Sequence, residues 1–196
     1  MNNRFSRAVL ASALIAASVY AYAAPTTYTI DPTHTDVVAQ WSHFGFSNPI
    51  AHFGQVEGTI TYDPDNVAAS SVEVVLPLAG LSSHVKAFDE HLRNADFFDA
   101  EKYPEASFRS TAVESAGEGR LTITGDLTIK NITRPVVLDA TINRVDVNPM
   151  TGQPAAGFDA VTTIRRTDFD LGMYAPNVSD EVQLRITTEA GVPKQG

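Results

Sequence analysis

The sequence contains no cysteine. That excludes a disulfide framework, thiolate catalysis and a Cys-ligated metal site. Cations are few, with 14 Lys and Arg against 23 Asp and Glu. They form no basic run and no basic amphipathic helix, which disfavours nucleic acid and anionic membrane surfaces as partners. No apolar run beyond residue 23 is long enough to span a bilayer, so no stable membrane anchor is expected. The five histidines, His34, His43, His52, His84 and His91, lack a tight ligand motif such as H-x-x-x-H or H-E-x-x-H. No metal site and no cofactor are therefore expected. A G-x-S-x-G elbow is also missing. Ser82, His84 and Asp89 are close in sequence, but a triad is defined by geometry, and no enzymatic role is expected.

The N-terminus is more informative. Residues 1–7 carry Arg4 and Arg7 and no acid, and residues 8–23 are apolar with many small side chains. Ala21-Tyr22-Ala23 followed by Ala24-Pro25 fits an A-x-A processing site. This pattern predicts a signal peptide over residues 1–23, cleavage after Ala23 and export. Without Arg4 and Arg7, 12 basic residues face 23 acidic ones, a net charge of −11. Residues 24–196 suit a single domain, long enough to bury a core without staples. No repeat, low-complexity tract or composition shift divides them.

Period-two alternation dominates this domain. Strands are expected over 27–30, 36–44, 51–62, 71–78, 106–114, 120–129, 134–147, 157–166 and 181–190. Turn signals such as Asp63-Pro64-Asp65-Asn66 separate them. Leu121, Ile123, Gly125, Leu127 and Ile129 share one face, against Thr122, Thr124, Asp126 and Thr128 on the other. Val182, Leu184 and Ile186 alternate in the same way with Gln183, Arg185 and Thr187. One segment breaks the rule: Phe88, Leu92, Ala95 and Phe98 recur at a helical spacing before Tyr103-Pro104. The fold class is therefore all-β, with about eight main antiparallel strands and one short helical insert. A closed barrel able to hold a small ligand and a β-sandwich both satisfy this pattern.

An ordered series of short motifs then carries a resemblance. It runs through Asp31-Pro32-Thr33-His34-Thr35, Trp41-Ser42-His43-Phe44-Gly45 and Asp89-Glu90-His91-Leu92. Asp96-Phe97-Phe98-Asp99 and Tyr103-Pro104-Glu105-Ala106-Ser107-Phe108 follow. Gly125 to Lys130 with Thr133-Arg134-Pro135-Val136, Arg166-Thr167-Asp168-Phe169 and Val178 to Val182 complete it. The chain resembles the YceI family of bacterial periplasmic polyisoprenoid-binding proteins. It departs at Leu81-Ser82-Ser83-His84 and at Asp170, where the family more often has Gly. The resemblance implies a lipocalin-like antiparallel barrel with a hydrophobic tunnel for a long isoprenoid or fatty chain.

Aromatic residues suited to such a tunnel gather near the loops and the helical insert. The expected tunnel residues are Trp41, Phe44, Phe53, Phe88, Leu92, Phe97, Phe98, Tyr103, Phe108, Leu127, Ile129 and Phe169. For the polar head of a ligand, the candidates are His43, His84, Asp89, His91, Arg166 and Asp168. Arg166 and Asp168, two apart on an expected strand, would face the same side. Asp89 is placed to cap the helix. The expected partner is a small-molecule lipid, exchanged with a membrane-protein donor or acceptor that the sequence does not identify. A homodimer is compatible with such barrels, though no residue argues for one. A barrel filled by its own side chains, acting as an interaction or stress-response module, needs the same alternation.

Overall fold

The computed structural model describes residues 24–194, so the expected signal peptide lies outside the described residues. Eleven strands follow in chain order: β1 (Thr26–Ile30), β2 (Asp36–Gln40), β3 (Ile50–Phe53), β4 (Glu57–Tyr62), β5 (Ser71–Pro77) and β6 (Leu81–Ser82) precede a helix, α1 (Lys86–Arg93). After it come β7 (Glu105–Ser115), β8 (Arg120–Ile129), β9 (Ile132–Val147), β10 (Pro154–Arg165) and β11 (Glu181–Gly191).

Pairing reduces these pieces to eight long strands in a closed antiparallel barrel. Along β11, β1 and β2 lie end to end, with Ile30 opposite Ala190 and Asp36 opposite Thr187. In the same manner β4 and β3 follow β1 and β2, and β5 and β6 follow β4 and β3. The remaining strands are uninterrupted neighbours from β7 to β11, and β1 closes the circle on β11. Closure leaves no long sheet edge open to other chains. It also selects the barrel over the sandwich.

The strand expected over 51–62 is divided at residues 54–56. A Cβ on Gly80 would fall inside contact distance of the Gly54 backbone, whose N–H donates to Gly80 O at 3.1 Å. Gln55 takes a positive φ of 58° at the same kink. The strand expected over 36–44 ends at Gln40, because the chain folds back through a His43–Ser47 bridge.

Alternation places the apolar faces inward. Leu121, Ile123, Gly125, Leu127 and Ile129 of β8 are all buried, while Asp126 is exposed. The helical insert is shorter than its apolar spacing suggested, since α1 ends at Arg93 and residues 94–102 form turns. Phe98 N–H still bonds Leu92 O, and Ala100 N–H bonds Arg93 O. The Arg93 guanidinium donates to the carbonyls of Leu78, Ala79 and Leu81, clamping the helix end to the strand β5–β6 junction. Leu92 inserts between Ala51 and Leu81, with Trp41, Phe53, Phe88, Phe97 and Phe98 around them. The insert thereby closes over one end of the barrel.

Candidate functional site

The barrel is hollow. Chamber one, below α1, has a volume of about 220 Å³, and chamber two, deeper in the barrel, about 130 Å³. A single water needs only roughly 10–15 Å³ of such space. Val37, Leu76, Leu127 and Leu184 line both chambers, so the two meet at a waist of four aliphatic side chains. Val72, Val74, Leu76, Leu184 and Ile186 face the interior yet are only partly buried. In a filled barrel the same positions would be enclosed by neighbouring side chains. Chamber two presents almost nothing but carbon.

Polar groups enter chamber one at His43, His91 and Arg166. The His91 ring meets Phe97 edge-on at 4.8 Å and stacks on Phe88 at 6.3 Å. Arg166 is a buried cation at 7 % exposure. It donates to four backbone carbonyls: Ser179 at 2.8 Å, Met173 at 2.8 Å, Val178 at 2.7 Å, and Leu171. A guanidinium has about five N–H donors, so one is left over. Burial pushes the Arg166 pKa down, and the charge of Asp180 opposes that shift. The side chain thus pins the loop from Leu171 to Ser179 onto the barrel end while also lining chamber one.

Residues 28–190 match the YceI-like domain. The chain belongs to the YceI-like family. A UPF0312 protein of Pseudomonas putida strain W619 is 36% identical over 192 residues, covering 96% of this chain and 97% of that protein. A UPF0312 protein of Vibrio cholerae is 37% identical over 169 residues, with 85% and 87% covered. Among solved structures, Burkholderia cenocepacia BcnA superposes with a TM-score of 0.74 at 26% identity, over 82% of this chain and 99% of that one. A polyisoprenoid binding domain from Saccharophagus degradans, implicated in plant cell wall breakdown, gives 0.65 at 11% identity, over 85% and 98%. That last likeness is one of fold.

Within this YceI-like barrel the expected tunnel residues divide. Trp41, Phe53, Phe88, Leu92, Phe97, Phe98, Leu127 and Ile129 line chamber one. Phe108 lines chamber two, where Leu127 also reaches. Phe44, Tyr103 and Phe169 line neither. Phe44 points outward from a turn in which it and Gly45 both have positive φ, 53° and 73°. Tyr103 lies beneath the Lys102 ammonium, 4.9 Å from its ring centre. Phe169 is among the most deeply buried side chains of the ordinary core.

The expected polar residues divide as well. His84, Asp89 and Asp168 are outside both chambers. The His84 ring lies 5.2 Å from that of His52, whose Nδ1 is 2.6 Å from Asp36 Oδ2 on the barrel exterior. Asp89 does not cap α1, whose N-cap is Val85. Instead its Oδ1 accepts from Ser83 N–H and Ser83 Oγ, both at 2.6 Å, and these bonds hold its pKa below the ordinary carboxylate value. Arg166 and Asp168 do not share a strand face, because residues 166–169 make a 3-10 turn, and the Arg166 donors go to carbonyls. Among the described residues, no group of three or more His, Asp or Glu is arranged to hold a metal.

Several lining residues carry no expectation from the sequence. Val37, Ala39, Leu76 and Val182 are ordinary strand apolars. Leu184 belonged to a legible apolar face, but nothing distinguishes a chamber wall from a packed core in such a face. Leu171, Tyr174 and Val178 sit on an irregular loop, where no period exists to read.

Proposed function

We propose that the protein reversibly encloses a long apolar lipid, and so carries or sequesters it in the periplasm. The observation that carries this reading is the hollow, carbon-lined bore with its two chambers joined at Val37, Leu76, Leu127 and Leu184. Burial of one five-carbon isoprene unit gains roughly 3–4 kcal/mol at about 0.8 kcal/mol per carbon. Loss of freedom on binding costs roughly 4–15 kcal/mol. The protein must therefore enclose several units of a ligand in line, which suits two chambers in series better than one shallow pocket. The Saccharophagus degradans domain, polyisoprenoid-binding by name, shares the fold and is consistent with this ligand class.

The chain enters with its apolar tail leading toward chamber two. Its polar head stays in chamber one, near His43, His91 and the remaining Arg166 donor. A quinone carbonyl, an amide or an alcohol oxygen accepts from such groups. Transport of this kind needs no bond to be made or broken.

Trp41, the single tryptophan, lines chamber one and reports on occupancy. Titration with polyprenols of increasing length should perturb its fluorescence, with affinity rising per added unit until the bore is full. Indifference of Trp41 to every chain length would refute enclosure.

A further inference from the structure

The rim of chamber one is unlike the rest of the surface. Two loops build it, residues 41–49 and 171–179, and they are zippered together. Phe44 N–H donates to Asn177 O at 2.8 Å and Ser179 N–H to Ser42 O at 2.9 Å. His43 bridges both Ser47 and Val178. His43, Tyr174 and Val178 line the chamber, so these loops are at once its wall and its outer edge.

That edge turns large rings to solvent: Phe46 is 93% exposed, Tyr174 57% and Phe44 49%. Phe44 and Tyr174 hold positive φ values of 53° and 64°, backbone that bulky side chains rarely adopt. None of this exposure serves the core. Charge is also missing here. Residues 37–56 contain no Asp, Glu, Lys or Arg, and neither do residues 171–179, in a chain of net charge −9. Charge resumes beside the rim on the outer face of α1, where Lys86 and Glu90 approach to 3.7 Å.

We propose that this rim docks on the surface of a lipid bilayer, seating the mouth of chamber one in the interface. The proposal rests on the apolar-ligand reading above. Exposed Phe and Tyr rings among uncharged Ser and Asn suit the headgroup region, where one end of a ring is apolar and the other wet. The rim offers a protein partner no charge to steer or orient it, whereas the uncharged interface of a bilayer asks for none. The acidic remainder of the molecule is repelled by anionic lipid, so the neutral rim is the side that approaches most easily. A mouth seated there lets a prenyl chain pass between bilayer and bore without crossing water.

Flotation of the purified exported protein with phosphatidylethanolamine–phosphatidylcholine vesicles tests this. Phe46 lines neither chamber, so Phe46→Asp leaves the ligand site intact. Wild type should float, Phe46→Asp should bind at least about tenfold less, and Phe46→Leu should keep most of the binding. Added phosphatidylglycerol should weaken binding at low salt and less so at high salt. Quenching of Trp41 by farnesol in vesicle-free solution should be the same in all three proteins. Wild type that stays in the soluble fraction, or Phe46→Asp that floats equally well, overturns docking. A wild-type dimer that Phe46→Asp dissociates assigns the rim to a second copy and also overturns it. Absence of any farnesol response in wild type would instead refute the ligand reading, independently of flotation.

Discussion

Leu127 on β8 and Leu184 on β11, which are not adjacent strands, both stand at the waist where the two chambers meet. Each contributes to the wall of chamber one and of chamber two. The waist therefore decides whether a ligand uses one chamber or the whole bore. Leu184→Trp, which adds bulk at that point, should block chain passage into chamber two. Loss of one five-carbon unit from burial would weaken a long polyprenol by up to roughly 3–4 kcal/mol, more than about hundredfold. A short prenyl alcohol confined to chamber one, whose wall Leu184 shares, should be weakened much less. Equal weakening for both lengths would mean that the chambers are not used in series.

Leu92 is the side chain through which α1 sits on the barrel, against Ala51 and Leu81. Leu92→Asp places a carboxylate in that apolar contact, at a cost of several kcal/mol if it stays buried. The economical response is for the helix to lift away. Lipid retention should fall while the far-ultraviolet circular dichroism of the strands persists. Full retention in a folded variant would show that the insert does not close the bore.

Gly125 is an inward position on β8 that has no room for a side chain. An added Cβ would overlap the Phe108 ring across the strand pair and lie 2.6 Å from Arg109 O. Phe108 can turn, but the Arg109 backbone cannot. Gly125→Ala should cost about 1–3 kcal/mol, lowering Tm by roughly 2–4 °C per kcal/mol. Phe108→Leu in the same chain should restore part of the loss, and calorimetry measures both. Full restoration would assign the conflict to the ring alone.

Asp31 governs the kink between β1 and β2. Its carboxylate accepts from Thr33 Oγ at 2.6 Å and Thr33 N–H at 2.8 Å and contacts His34 Nδ1 at 2.7 Å. The Thr33 and His34 hydrogen bonds lower its pKa from 3.8 to about 2, and Asp31 in turn raises that of His34 from 6.5. The depressed acid stabilises the fold above pH 3.8 and loses that effect as pH falls through about 2. The raised base contributes below pH 6.5 and loses its part as pH rises through its folded value. The Tm gap between wild type and Asp31→Asn should therefore be widest between pH 3.8 and 6.5 and close toward pH 2. A gap that does not vary with pH would leave the kink to neutral hydrogen bonds.

The parts of this fold that local chemistry dictates were legible in the sequence. The bounds of β8 and its inward face of Leu121, Ile123, Gly125, Leu127 and Ile129 follow from alternation alone. The aromatics that gather near the insert in the sequence, Phe88, Phe97 and Phe98, lie on the wall of chamber one. Long-range geometry was not legible. The Gly54–Gly80 contact joins the β3–β4 junction to the β5–β6 junction, which are far apart in sequence. The 3-10 turn at residues 166–169 redirects Arg166 toward carbonyls that only the folded loop brings near. Phe44 lies outside the bore because it has the opposite parity to Val37, Ala39, Trp41 and His43, which line chamber one, so here alternation itself argued against the expectation. Hollowness itself leaves no mark on a sequence, since a wall and a packed core need the same apolar face.

The most direct test of enclosure is native mass spectrometry of the purified protein, with organic extraction of whatever is bound. The account predicts a one-to-one adduct whose mass fits a quinone, a polyprenol or a fatty amide. A bare protein that also refuses added prenyl lipids would contradict it.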